Sequence, residues 1–528
     1  MTATNDLPLI PDFVAGQRFL AALPLTSPQL AEPQLAAFLD SLQKFPLPVE
    51  DLFSLLEQAR PAVHFVEGEM SRRLQGKYLP LPRVEEAVFQ QMILIWQQLE
   101  KAYALCARLT PPKHDDPAYA RLIATLLHRC LYCKGMVILE HYRIRREMPA
   151  GIWLDLHGYY ATAEEWGVAT TPVLDELELS LQASHCTAAY VTLLLMDIAS
   201  PYSLPVRHIN LMRRWAAQWA HLVTLHALDD DEVLPPYLVE LMQDGPLHLA
   251  SQSREPGPDA RCLETARLGL QMQHMLAQLH QRMTPSQLGL GEENGQVAIQ
   301  LLSRLSKPWT QASSPRKFRR FPAQGSAQVV TGFEAMYFQV AQKPFEQPES
   351  ADTYSRDDFD RLFTFRDQAE PGQDLSIRPH VDFPSETWAV INHSANGLRL
   401  TRSMAGMPLG HGQLMAVKPH DGDHFLLCRS SWLMQAEDAS LVAGLSILPG
   451  MPQAIGVHHA ASSERYVPAF ILSAVPGILE EASLILPPGM YLARGVLEII
   501  RQGEKLQLRM LHQIERGIDY ERISYEPA

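Results

Sequence analysis

A chain of 528 residues, 46% hydrophobic and 20% charged, is longer than one hydrophobic core serves and too apolar for a disordered or fibrous protein. A formal net charge of −14 argues against a nucleic acid polymer or an anionic bilayer as partner, although a local basic cluster can still capture one anion. Six cysteines (Cys106, Cys130, Cys133, Cys186, Cys262, Cys428) lack the density of a disulfide framework and suit a reducing compartment.

The first residues, Met1 to Phe13, carry Asp6 and Asp12 without a cationic start or an apolar core of signal-peptide length. No run of about eighteen uncharged apolar residues follows, so no transmembrane segment is expected and a cytoplasmic protein is. From about Pro28 to Leu305 apolar residues recur every three or four positions, as in Val88-Met92-Ile95-Trp96-Leu99 and Ala189-Leu193-Leu194-Ile198. Breaks at Pro111-Pro112, Pro149-Ala150-Gly151, Pro201 and Pro235-Pro236 separate these stretches, which predicts an all-α helical region over 1–307.

After Arg316 the pattern changes to short alternating runs bounded by Gly, Pro, Asn and Asp, such as Leu398-Arg399-Leu400-Thr401, and strands are expected. The acidic stretch 342–383, with Pro344, Pro348, Pro371 and Pro379, reads as an insertion in this β-domain, with a short helix suggested by Phe359-x-x-Leu362-Phe363. The last segment, 464–528, holds strand-like runs at Ala469–Ala474 and Ser483–Leu486 and a hairpin in which VLEII and LQLRML flank Arg501–Lys505, and is expected to be a small β-rich C-terminal extension. The fold class is multi-domain α plus β.

Two motifs carry the chemistry. Arg316-Lys317-Phe318-Arg319-Arg320 places four positive charges in five residues of an acidic chain. Guanidinium groups fork onto phosphate and onto the O6/N7 edge of guanine, so two arginines four apart can grip both parts of a guanine nucleotide. Asn392-His393-Ser394-Ala395-Asn396-Gly397 sits between two strand-like runs, where the Asn amide and Ser hydroxyl offer hydrogen bonds and the glycine permits close approach. No nucleophile with a matched base accompanies either motif, so no catalytic residue is assigned and an enzyme is not expected.

In this order the two motifs resemble those of the PilZ family, RxxxR before the first barrel strand and [DN]xSxxG on a later turn; Arg316 and Arg320 fill the first, Asn392, Ser394 and Gly397 the second. LGHGQLMAV, LLCRSSWL and SLVAGLSIL are similar to the family's later strands, so the resemblance covers about 313–459. It implies a six-stranded antiparallel β-barrel that binds the bacterial second messenger cyclic di-GMP. In that picture the arginines meet guanine and phosphate opposite Asn392 and Ser394, and Arg319 either adds a phosphate contact or faces water. The spacing from Arg320 to Asn392 is longer than the family's usual one by about forty residues, which the insertion accounts for. The expected function is a signalling effector that couples ligand binding to a protein partner or to self-association through the helical region. A ligand-independent scaffold with a vestigial barrel is the alternative.

Other signals read as structural. Cys130-x-x-Cys133, with His128 and His141, lies in a helical pattern without the second half of a zinc site. The run Asp229–Glu232 reads as a helix-flanking acidic stretch, and His458-His459 as the end of a strand of the PilZ-like barrel. No metal or other cofactor is expected.

Overall fold

The structure is a computed structural model; it describes residues 8, 10–111, 116–178, 184–228, 237–249, 256–310, 319–347, 383, 385–460, 465–478, 480–501 and 503–528. The suggested helix near Phe359, most of the insertion and Asp229–Glu232 lie outside the described residues. The chain divides into two units, Met1–Lys317 with Leu433–Leu441, and Phe318–Trp432 with Val442–Ala528.

The first unit is built of α1 (Phe13–Ala21), α2 (Pro28–Lys44), α3 (Val49–Leu74), α4 (Arg83–Leu109), α5 (Pro117–Ile144), α6 (Ile152–Glu165), α7 (Cys186–Ile198), α8 (Val206–Trp219), α9 (Ala266–His280) and α10 (Gly295–Thr310). The axis is α5, whose sides are covered by α4, α6, α7 and α8. Its residues from Ile123 are buried almost all round, which is why its sequence reads as continuously apolar instead of striped. It is long and apolar enough to cross a membrane by length and composition alone, yet 89% of its most apolar stretch is buried inside this unit, as in a core helix. Asp116 starts it by accepting the Ala118 amide at 2.8 Å, and Arg145 ends it in the left-handed conformation.

Several charged groups buried in this unit are paired. Arg60 bonds Asp175, and Arg129 bonds Glu57 at 2.9 Å and Asp175 at 3.4 Å. Burial alone would raise the Asp175 pKa, but Arg60 and then Arg129 outweigh it and hold that carboxyl below its ordinary value. Glu67 is the opposite case: burial, then the neighbouring Glu140 carboxylate, push its pKa well up. Glu140 accepts from Ser71 at 2.8 Å and pairs with Arg143.

Within the expected all-α region stands a four-stranded antiparallel sheet in the order β1-β4-β2-β3, formed by β1 (Thr224–Ala227), β2 (Tyr237–Glu240), β3 (His248–Leu249) and β4 (Ala260–Glu264). Strands of two to five residues are too short to display an alternation, and β2 is buried on both faces, so its residues look like one turn of a buried helix. Leu433–Leu441 also belongs to this unit: the Gln435 amide donates to Arg145 O at 2.9 Å, and its carbonyl accepts from the Glu147 amide at 2.9 Å.

The second unit contains two barrels. The first uses β5 (Phe321–Pro322), β6 (Ser326–Thr331), β7 (Glu386–Ser394), β8 (Gly397–Arg402), β9 (Leu414–Pro419), β10 (Leu426–Gln435) and β11 (Leu441–Ile447). Because β7 pairs with both β6 and β8, the strands β7-β6-β9-β10-β11-β8 close into a six-stranded ring, and β5 is an extra short strand alongside β7. The second is a closed six-stranded barrel in the order β12-β13-β14-β17-β16-β15, from β12 (Pro452–His459), β13 (Val467–Leu472), β14 (Ser483–Leu486), β15 (Val496–Arg501), β16 (Glu504–Arg516) and β17 (Glu521–Pro527). The β-rich extension is therefore a complete barrel, and Pro452–His459, expected in the PilZ-like barrel, is its first strand. Closure explains the reassignment: β12 pairs with β13 on one side and β15 on the other, leaving no edge.

The helix α11 (Phe333–Ala341) lies against β6 and β9 of the first barrel and β12 and β13 of the second. Met336, Tyr337, Leu414, Leu427, Phe470 and Tyr520 form one core there, so the two barrels share buried surface. The terminal barrel's own interior is filled by Ile455, Val457, Ile471, Leu484, Leu497 and Ile523 among others.

Candidate functional site

The segment that follows the arginine cluster and the strand that carries the Asn-x-Ser-x-x-Gly motif are neighbours. β7 and β8 form a hairpin whose turn is Ala395-Asn396, with Ser394 opposite Gly397 and Asn392 opposite Arg399. The register shifts between Val390, opposite Leu400, and Asn392, opposite Arg399, so Ile391 is an extra residue in a β-bulge. Side chains alternate faces along a strand; without the bulge Asn392 would follow Val390 and Trp388 toward the buried side, where Leu400 lies. The extra residue sets Asn392 and Ser394 on the face that carries Arg399.

The arginine arm arrives beside them through β5: Phe321 stands opposite His393 and Pro322 opposite Asn392, and the Ala323 amide donates to Ile391 O at 3.2 Å. Continued by one residue, this register would set Arg320 level with Ser394. Arg319 stacks its guanidinium over the Phe321 ring at 5.6 Å, and Phe321 stacks on His393 at 6.0 Å. Arg316 lies outside the described residues.

Ser394 Oγ donates to Asn396 Oδ1 at 3.0 Å and lies 3.3 Å from Gly397 O, which fixes the turn. Gly397 is required by a close approach: a Cβ there would lie 2.6 Å from the Leu445 carbonyl oxygen of β11. The neighbouring Asn396 carbonyl accepts from the Ile447 amide at 3.0 Å, so β8 and its turn are pressed against β11.

Two residues the motifs do not name complete the face. Arg399 lies over the Trp432 ring at 5.5 Å, a cation–π contact. Trp432 can reach this position because Gly444 has no side chain; a Cβ there would overlap the indole. Arg399 Nε is shielded from solvent and has no acceptor among the described residues. The only trace of this pair in the sequence is the position of Arg399 two residues after the motif glycine. Trp432 and Gly444 are distant in the chain and meet it only through sheet pairing.

Along the same strands lies a cleft of about 480 Å³ lined by Gly325, Ser326, Ala389 and Thr401 and bounded by Glu386 and Arg402. Arg402 donates to the Ala405 carbonyl at 2.6 Å, pairs with Glu386 at 3.2 Å and lies over Trp388 at 5.0 Å. Burial lowers its pKa, partly offset by Glu386.

The set-aside residues are placed as structure. Cys130 and Cys133 are buried in α5 with their thiol pKa values pushed up by burial, and burial with Arg129 beside it brings His128 down to about 3. No group of three or more His, Cys, Asp or Glu among the described residues is placed to hold a metal.

A closed six-stranded barrel with an Asn-x-Ser-x-x-Gly turn and the end of an arginine cluster next to the same strand defines a PilZ-like barrel, which in chain order follows the helical region and precedes a second barrel. Family models match the chain in succession: the N-terminal domain of cyclic-di-GMP receptor FimW over residues 15–231, the middle PilZ domain of that receptor over 237–373, and the FimW C-terminal β-barrel domain over 454–528. The middle match includes Arg316–Arg320 and stops before β7. A curated relative, the cyclic-di-GMP receptor FimW of Pseudomonas aeruginosa, is 24% identical over 530 residues, spanning 92% of this chain and 86% of that protein. The chain belongs to the FimW family.

Proposed function

We propose that this protein is a cyclic di-GMP receptor, not an enzyme, and that Arg316, Arg320, Asn392, Ser394 and Gly397 form its ligand site. The observation that supports the reading is the pairing of β5 with β7, which brings the residues directly after Arg320 alongside the strand bearing Asn392 and Ser394. Cyclic di-GMP presents two phosphates and two guanines. The arm supplies planar forks for both, Asn392 and Ser394 supply hydrogen bonds opposite, and Arg399 on Trp432 supplies a flat cationic surface for a purine. Arg319, whose guanidinium lies over Phe321, either adds a phosphate contact or faces water. The domains are read as helical over 1–307, PilZ-like over 313–459 less the β12 strand, and a terminal barrel beyond it. The helical region carries the signal to a protein partner or to a second copy of the chain, in the cytoplasm.

Isothermal titration of the full chain with cyclic di-GMP tests the reading. Losing one charge-assisted contact costs about 1.5–3 kcal/mol, so Arg316→Ala and Arg320→Ala each bind about ten- to a hundredfold more weakly. Wild-type affinity in both variants would show that the site is elsewhere; no heat from the folded wild type would end the receptor reading.

A further inference from the structure

We propose that the Phe321–His393 stack is the positioning element that seats the arginine arm on β7 before any ligand arrives; this rests on the cyclic di-GMP reading above. β5 is only two residues long, both exposed, and so short a strand gains little from its own backbone pairing. Yet its register decides which side chain of β7 Arg320 faces. A slip of one residue would turn Arg320 to the other face, away from Asn392 and Ser394.

What fixes that register is side-chain contact across the pair. Phe321 and His393 are directly opposite in the ladder, and their rings lie 6.0 Å apart at 37°. Directly opposed side chains are the pairs that stabilise a sheet, and aromatic ones are among the strongest. Arg319 covers the other end of the stack over Phe321 at 5.6 Å. Phe321 is 48% exposed and His393 is also exposed, so a hydrophobic core does not explain the ring at residue 321. His393 occupies an unspecified position of the Asn-x-Ser-x-x-Gly motif, and Phe321 directly follows the second motif arginine; the stack ties the two motifs together. Phe321 and His393 act through Arg320, on the strand face opposite to Asn392, and are positioning residues.

The test is a double-mutant cycle with a second readout in the ligand-free protein. Phe321→Ala and His393→Ala each weaken cyclic di-GMP binding about two- to tenfold, the range of an aromatic pair. The double variant binds no more weakly than the worse single one, because both remove one contact. Phe321→Tyr, which keeps the ring, restores affinity. Without ligand, the Ala323 amide, bonded to Ile391 O, exchanges faster with deuterium in Phe321→Ala than in wild type. Additive losses, or unchanged Ala323 exchange beside weakened binding, would overturn the proposal, since the ring would then be touching the ligand itself. If the wild type binds no cyclic di-GMP, the receptor reading and the affinity half of the proposal fall together. Ala323 exchange then still decides, by itself, whether the stack seats the arm.

Discussion

Gly397→Ala tests whether the β8–β11 approach shapes the site. The added Cβ would lie 2.6 Å from Leu445 O, about 0.8 Å inside ordinary van der Waals separation for a carbon and a backbone oxygen. A carbonyl committed to a strand cannot rotate aside as a flexible side chain can, so β8 has to move from β11. Overpacking of this kind costs about 1–3 kcal/mol. For a unit of this size that lowers the apparent unfolding midpoint of the barrels by about 2–12 °C. The displacement also reaches the ligand face, because Gly397 O stands against Ser394 Oγ and Asn396 O is bonded to Ile447. Differential scanning fluorimetry and cyclic di-GMP titration of the full chain should therefore fall together. Gly477→Ala, with nothing within 4 Å of its added Cβ, is the control and leaves both unchanged. A Gly397→Ala protein with wild-type midpoint and affinity would refute the close-approach argument.

Three further outcomes follow from other parts of the molecule. Arg399→Ala or Trp432→Ala removes the cation–π surface and weakens cyclic di-GMP by about 0.5–2 kcal/mol, read by titration calorimetry; unaltered affinity in both would remove the pair from the site. Asp175→Asn leaves the buried Arg60 and Arg129 short of countercharge and costs the helical unit about 3–5 kcal/mol in urea unfolding at neutral pH. Since its folded pKa is lowered, the wild-type Asp175 contribution is present above the ordinary carboxylate pKa and lost as pH falls through the lowered value. Glu67 has the reverse sign: its folded pKa is raised, so its contribution is full at pH below the ordinary carboxylate value and lost as pH rises through the raised one. Urea unfolding of Glu67→Gln across pH 5 to 9 should show a flatter decline toward alkaline pH than wild type, and parallel curves would contradict the assignment.

The sequence by itself determined the change from helical periodicity to strand alternation, the RxxxR arm, the Asn-x-Ser-x-x-Gly turn and the terminal hairpin, now β15 and β16. These are local properties: a helix stripe, a charge cluster or a turn glycine is written within a few consecutive residues. Tertiary structure decided what depends on pairing between distant segments. The bulge at Ile391 that sets Asn392 on the Arg399 face has no composition of its own; it exists only as a mismatch between β7 and β8. Likewise Arg399, Trp432 and Gly444 come from three strands, and only the barrel's order places them together. The sheet β1–β4 was illegible because its strands are shorter than the window in which alternation shows. Pro452–His459 has the same strand pattern whichever barrel it joins; closure against β13 and β15 chose the second. Strand identity is a local matter, whereas the strand's neighbour is set by backbone hydrogen bonds satisfied far along the chain.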